Sequence, residues 1–197
     1  MRSSKKQEKL KQNSPVKDLD SSTLLLIAVF EGCLVLGVEI LGAKMLIPYF
    51  GASFIVWTSV IGVTLIFLTL GYFTGGKWSD KYPPAKVLFY SLFFASLLLA
   101  YMPVYVYPLL KNFQDAGIYS GSIITASLLL GPCLFCLGTT SPLIIQSLIR
   151  DVGNSGKIAG TVYALSTAGG IGMSLFTGFW MISQWGISKP LVVLAIL

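Results

Sequence analysis

Residues 24–48 read LLLIAVFEGCLVLGVEILGAKMLIP, an apolar run with only three charged side chains. A helix needs about 20 apolar residues to cross the hydrocarbon core of a bilayer. Four further apolar runs lie at roughly 55–75, 86–108, 119–149 and 158–183. A last run, 191–197, corresponds to only about 10 Å of helix, too short to cross. The pattern predicts an all-α integral membrane protein, a polytopic bundle of five transmembrane helices plus a truncated sixth. For that sixth run we expect either a longer native chain or an unfinished stub.

The composition agrees with a membrane protein and excludes several other classes. Of 197 residues, 54% are hydrophobic and 11% are charged, whereas an average soluble domain is about 25% charged. The absence of histidine removes a Ser-His-Asp triad, a histidine-ligated metal and an imidazole proton relay. Cys33, Cys133 and Cys136 lie inside apolar runs, which indicates small packing residues rather than a disulfide scaffold or a metal site. We therefore expect no catalytic residue, no metal and no cofactor.

Basic residues concentrate in the first twenty positions and at the ends of segments. We interpret residues 1–20 as a disordered basic cytoplasmic tail and 21–197 as one transmembrane helical domain. The tail serves either as an orientation signal or as an electrostatic grip on anionic lipid. Because the basic residues lie there and at loop ends, the pI of 9.2 does not indicate nucleic-acid binding.

The distribution of lysine and arginine predicts the orientation. With the tail inside, eleven basic residues face the cytoplasm and two, Lys111 and Lys189, face outward. By the positive-inside rule we expect a plasma-membrane protein with a cytoplasmic N-terminus. The eleven inward residues are Arg2, Lys5, Lys6, Lys9, Lys11, Lys17, Lys77, Lys81, Lys86, Arg150 and Lys157.

Three charged residues lie inside the first apolar run, where charge is costly and indicates function. Glu31 is roughly 10 Å from the cytoplasmic end of that helix. Glu39 is about 12 Å deeper, and its position is rotated by about 80° around the helix axis relative to Glu31. Lys44, near the outer end, can extend to the interface. We predict Glu31, Glu39 and Lys44 as candidate groups for a substrate or an ion, with Trp57 as a ring that could cover a cation. Alternatively, Glu39 pairs with a lysine such as Lys44 to fix helix packing, and Trp57 is a membrane-interface residue.

The second connection reads GYFTGGKWSDKYPP, residues 71–84. We expect the glycines at 75 and 76 to end one helix and the prolines at 83 and 84 to delay the next. Gly76, Lys77, Asp80 and Lys81 resemble the short cytoplasmic loop signature of major-facilitator transporters, with Asp80 capping backbone or pairing with basic side chains. The alternative is a simple turn that follows the positive-inside rule.

Small residues and prolines indicate where helices pack closely or bend. The fifth segment carries five glycines among alanines and serines, which let helix backbones approach closely. They are Gly160, Gly169, Gly170, Gly172 and Gly178. Pro132 and Pro142 lie within the fourth segment and each removes a backbone donor, so we predict kinks there. The length of that segment is typical of a tilted or broken helix.

Several blocks resemble one protein family. They are EILGAKMLIPYFG at 39–51, VWTSVIG at 56–62, LGY at 70–72, TSPL at 140–143 and GTVYALST at 160–167. In order over about 24–190, these blocks resemble the membrane region of spermidine synthase-like proteins, where a major-facilitator-like part precedes a polyamine aminopropyltransferase domain. The resemblance implies a fold like half of a major-facilitator transporter and a link to polyamines. Lys44 stands where the family pattern has arginine, and this change removes bidentate pairing with Glu39.

The sequence lacks the glycine-rich strand–loop–helix and the soluble acidic pair that the resemblance assigns to the transferase domain. We therefore expect no enzymatic activity from this chain alone. One hypothesis is half of a transporter for a polyamine or another small cation, bound through Glu31 and Glu39 and gated at Asp80. It would need a homodimer or a second transporter half. The alternative is a non-catalytic membrane anchor or subunit, or a fragment, of a soluble aminopropyltransferase.

Overall fold

The computed structural model describes residues 20–149, 152–186 and 188–196. Within these ranges the chain is helical and no strand is present. The helices are α1 (Ser21–Phe50), α2 (Phe54–Lys81), α3 (Pro84–Phe113), α4 (Ile118–Leu148), α5 (Ser155–Phe176), α6 (Ile182–Trp185) and α7 (Ser188–Ile196). A π-helical turn, Thr177–Met181, joins α5 to α6, and 3₁₀ turns occupy Gln114–Ala116 and Val152–Asn154.

Five helices are long and apolar enough to cross a membrane. They are Ser21–Phe50, Phe54–Lys81, Pro84–Ala116, Ile118–Leu148 and Ser155–Trp185. A helix of 30 residues is about 45 Å long, more than the roughly 30 Å of the hydrocarbon core. The prediction of an all-α chain with five long apolar helices and a short helix after them is therefore confirmed over the described residues, and the five helices support a multi-pass membrane protein. The proposed tail over 1–20 lies outside the described residues except for Asp20, as do Arg150 and Leu197.

Short connections make consecutive long helices run in opposite directions. Gly51 and Gly117 follow α1 and precede α4 with φ of 83° and 86°, a backbone region that favours glycine, so each turns the chain at a helix end. Ser53 then begins α2, and its side-chain oxygen accepts a hydrogen bond from the Val56 N–H at 3.4 Å. The bundle thus alternates up and down through five segments.

The centre of the bundle is α4, two thirds of whose most apolar window is buried. Helices α2 and α3 pack most extensively on α4, α5 packs on α1, and α7 lies against α3 and α1. Hydroxyl pairs join these helices at Ser59–Ser122 (2.9 Å) and Ser91–Thr139 (2.6 Å). Large apolar side chains on the outer faces of α2, α3 and α5 remain exposed, as expected for surfaces that contact lipid.

Glycines allow two of these packings to be unusually close. Gly71 of α2 lies against the backbone of α4 at Gly138, and Gly32 of α1 lies against the backbone of α5 at Ser166. Gly169 of α5 likewise meets the Val29 carbonyl of α1. The prediction of close backbone approach in the fifth segment is confirmed at Gly169 and Gly170, whereas Gly160, Gly172 and Gly178 have open space beside them.

The expected helix end at glycines 75 and 76 is wrong. Helix α2 continues through both to Lys81, and the connection to α3 is only Tyr82 and Pro83. A glycine within a helix costs about 1 kcal/mol relative to alanine, which tertiary packing can offset. Gly75 packs against the backbone of Thr139, so the close contact with α4 favours continuation.

Pro132 and Pro142 both lie inside α4, which is one uninterrupted helix of 31 residues. The expectation of a broken helix is therefore wrong, and the kinks stay a prediction. In a buried membrane helix, neighbouring helices and hydroxyl groups can satisfy the carbonyls that a proline leaves free.

Candidate functional site

Glu31 is the one acidic residue within the described ranges that is almost completely buried, with 2% of its surface exposed. Its carboxylate accepts a hydrogen bond from the Ser166 hydroxyl of α5 at 2.7 Å. The Ser141 hydroxyl of α4 lies close enough to interact with the same carboxylate. Glu31 therefore lies where α1, α4 and α5 meet.

The glycines of α1 and α5 explain why a serine reaches this carboxylate. Gly32 follows Glu31 directly and contacts the backbone of Ser166. A side chain at position 32 would force α5 away, and the hydrogen bond between α1 and α5 would be lost. Gly170 extends the same contact one turn further along α5, where it faces Gly32 and Leu36.

Tyr72 is a further polar residue that interacts with the carboxylate. The Tyr72 hydroxyl of α2 lies within electrostatic range of both Glu31 and Tyr163 of α5. Ser166, Ser141 and Tyr72 thus place three hydroxyl groups near Glu31 within an otherwise apolar bundle.

No cation neutralises Glu31 among the residues whose side chains the structure describes, because no lysine among them forms a salt bridge with it. Hydroxyl groups are the hydrogen-bond partners that the carboxylate has. A buried carboxylate is costly unless it is paired or neutral, and in a membrane helix such a residue points to binding or proton transfer. The arrangement can hold a positively charged group or a proton.

A cavity of about 360 Å³ adjoins Glu31 between α1, α3 and α7. Ile27, Phe30 and Leu34 line it from α1, Phe89 and Phe93 from α3, and Leu194 from α7. Among the described residues of the wall, Glu31 is the one charged residue and Ser96 of α3 is the one other polar residue. The Ser96 hydroxyl donates to the Ala195 carbonyl of α7 at 2.5 Å. The cavity is therefore mainly apolar with a single acidic group.

The structure does not bring the other predicted membrane residues into this site. Glu39 and Lys44 are both half-buried on α1, neither lines the cavity, and they form no ion pair with each other. Trp57 lies in the first turn of α2 with 36% of its surface exposed. The expected Glu39–Lys44 pair is therefore not formed, and Trp57 covers no cation among the described residues.

The predicted loop motif lies in the last turns of α2 rather than in a loop. Gly76, Lys77, Asp80 and Lys81 are all helical. The Lys77 ammonium lies 4.0 Å from the centre of the Phe73 ring, and the Lys81 ammonium lies 5.4 Å from that of Tyr82. Asp80 is exposed, does not cap α3, and makes no ion pair within the described part of the chain. Its capping role is therefore wrong.

The three cysteines are free, and Cys133 is buried in the core between α4 and α3. Among the described residues, no group of three or more cysteines and carboxylates could hold a metal ion. Sequence reasoning missed Ser141 and Ser166 as partners of Glu31, and also missed Tyr72. Serines on apolar segments were the available signal, but only the packing of three helices shows which serine meets which charge.

Comparison with protein-family models, with curated proteins and with solved structures finds no match to this chain. The resemblance to spermidine synthase-like membrane regions stays a prediction.

Proposed function

We propose that this chain binds a small organic cation within the membrane and forms one half of a transport pathway for it. The observation that carries the proposal is Glu31, a carboxylate with 2% exposure, held by hydroxyl groups and lining a cavity. An ammonium group would supply the positive charge that the described residues do not provide.

The energetic cost of Glu31 supports a binding role. An acidic residue at the centre of a membrane helix costs about 2.5–3.5 kcal/mol on insertion scales. One interhelical hydrogen bond in a membrane contributes about 0.6 kcal/mol on average and at most about 2 kcal/mol. The hydroxyl partners of Glu31 offset part of this cost, and a bound cation would offset the remainder.

The proposed binding step exchanges hydrogen bonds around one carboxylate. The ammonium enters from the cavity and donates to Glu31, while Ser166 and Ser141 keep the second oxygen in place. Release follows when the carboxylate returns to its hydroxyl partners or takes up a proton. Alternating access needs a second bundle that moves against this one, either a second copy or another half.

Uptake into proteoliposomes tests the proposal. The full chain is reconstituted, and flux of radiolabelled spermidine and of methylammonium is compared for the wild type and Glu31→Gln. We expect the variant to lose at least about 90% of the flux of whichever amine is carried, because the amide keeps hydrogen bonding to Ser166 but carries no negative charge.

Asp115→Asn is the matched control, because Asp115 is an exposed carboxylate in the 3₁₀ turn far along the chain from Glu31. It should leave flux unchanged. Unfolding midpoints of both variants in detergent show whether loss of flux reflects loss of structure. Equal flux in well-folded Glu31→Gln and wild type would refute the proposal, and flux no higher than in protein-free vesicles would refute transport by copies of this chain alone.

We also propose the plasma membrane and an N-terminus in the cytoplasm. The distribution of basic residues supports this orientation. In a bacterial host, green fluorescent protein fused before Met1 should fluoresce, and alkaline phosphatase fused after Gly117 should be active. The reverse pattern would show that the N-terminus faces outward.

A further inference from the structure

The residues that line the cavity beside Glu31 favour some cations over others. Its wall carries one carboxylate, and the Ser96 hydroxyl is already used in the hydrogen bond to Ala195. All the other lining residues that the structure describes are apolar. A ligand that fits this wall has one positive charge and an apolar remainder.

We infer that the cavity takes a monoamine with an aromatic or aliphatic tail rather than a polyamine. The inference rests on the proposed function, in which Glu31 binds an ammonium group. A polyamine carries two or more ammonium groups, and each needs an acceptor in a low-dielectric site. Glu39 is the nearest further carboxylate along α1, about 12 Å away along the helix axis, and it does not line the cavity. A second ammonium would therefore be buried without a partner.

Aromatic rings on α3 suit the tail of such a ligand. Phe89 and Phe93 stack with their ring centres 6.5 Å apart and their planes 13° from parallel. Both line the cavity, as does Phe30 from the opposite helix α1. The faces of these rings attract a cation within about 6 Å and also pack against an apolar tail.

The cavity is open on one side, since Phe89 and Phe93 in its wall are 68% and 54% exposed, so a ligand can extend beyond it. A cavity of about 360 Å³ is at the small end of ligand sites, which run from about 300 to 1,000 Å³. One ring with a short alkylamine fits within it.

Binding of 4-phenylbutylamine to the full chain in nanodiscs tests the inference. Equilibrium dialysis with the radiolabelled amine, corrected with empty nanodiscs, is run beside spermidine and the uncharged 4-phenylbutanol. We expect saturable binding of 4-phenylbutylamine, at least tenfold weaker binding of the other two probes, and a loss of at least tenfold in Glu31→Gln. Leu92→Trp should abolish binding by filling the cavity without removing charge, and Asp115→Asn should bind like the wild type.

Each other outcome has a separate meaning. Tighter, Glu31-dependent binding of spermidine would overturn the monoamine inference and leave the proposed function standing. Equal binding of 4-phenylbutanol would overturn the inference by showing that the cavity accepts any apolar chain, lipid included. If neither amine binds in a Glu31-dependent way, both the inference and the proposed function fail. If Glu31→Gln does not fold, Leu92→Trp still tests whether the amine binds in this cavity, and unchanged binding in that variant would overturn the inference.

Discussion

Replacement of Gly71 by alanine should force α2 and α4 apart. A Cβ atom at position 71 would lie 2.6 Å from the Phe135 carbonyl oxygen and 2.8 Å from the Gly138 Cα. Both atoms belong to the backbone of α4, so no side chain can rotate away. Ordinary van der Waals contact begins near 3.4 Å, so the two helices must separate by about 0.6–0.8 Å.

The expected loss of stability combines two opposing effects. Overpacking of a close interface costs about 1–3 kcal/mol. Alanine in place of glycine recovers about 0.5–1 kcal/mol through helix propensity. The net result is a loss of up to about 2.5 kcal/mol in the free energy of unfolding, with a central value of about 1 kcal/mol. This interface is the most extensive in the bundle, so the loss should appear in global unfolding.

Gly62→Ala provides the matched control on the same helix. No atom lies within 4 Å of a Cβ built at Gly62, so alanine there should be neutral or stabilising by up to about 1 kcal/mol. Both variants are purified in the same detergent, and unfolding is followed by tryptophan fluorescence during titration with a denaturing detergent. If Gly71→Ala unfolds at the same midpoint as Gly62→Ala or at a higher one, the close approach of α2 and α4 is not present.

Two further predictions concern polar groups inside the bundle. A double-mutant cycle of Ser59→Ala and Ser122→Ala should give a coupling free energy of about 0.5–1.5 kcal/mol, because their hydroxyls bond at 2.9 Å between α2 and α4; a coupling near zero would contradict that bond. N-ethylmaleimide should alkylate half-buried Cys136 at least about tenfold faster than Cys133, which is 1% exposed. Mass spectrometry of peptides from the native protein measures both rates, and equal rates would place Cys133 outside the core.

Helix number and length could be predicted from the sequence because both depend on properties of single segments. The thickness of a bilayer fixes how many apolar residues a crossing helix needs, so the runs from 24 to 183 could be counted directly. Helix ends were less predictable. The glycines at 75 and 76 predicted a helix end. Contact of Gly75 with Thr139 of α4 makes continuation of the helix favourable, and Thr139 lies more than sixty residues further along the chain.

The candidate site also depends on contacts between residues that are far apart in the sequence. In the sequence, Glu31 and Glu39 are two carboxylates at different depths on one apolar helix, and no local pattern shows which of them is enclosed. In the structure Glu31 is buried with Ser166 and lines the cavity, whereas Glu39 is half-buried and does not line it.

The sequence by itself determined the membrane character, the number of long helices and the identity of the charges within them, because hydrophobicity and charge belong to individual residues. Only the tertiary structure decided which charge is enclosed. That outcome depends on glycines of α1 and α5 that let two backbones approach, and so bring a serine from position 166 to a carboxylate at position 31. Such distances are set by the packing of whole helices, which no local pattern specifies.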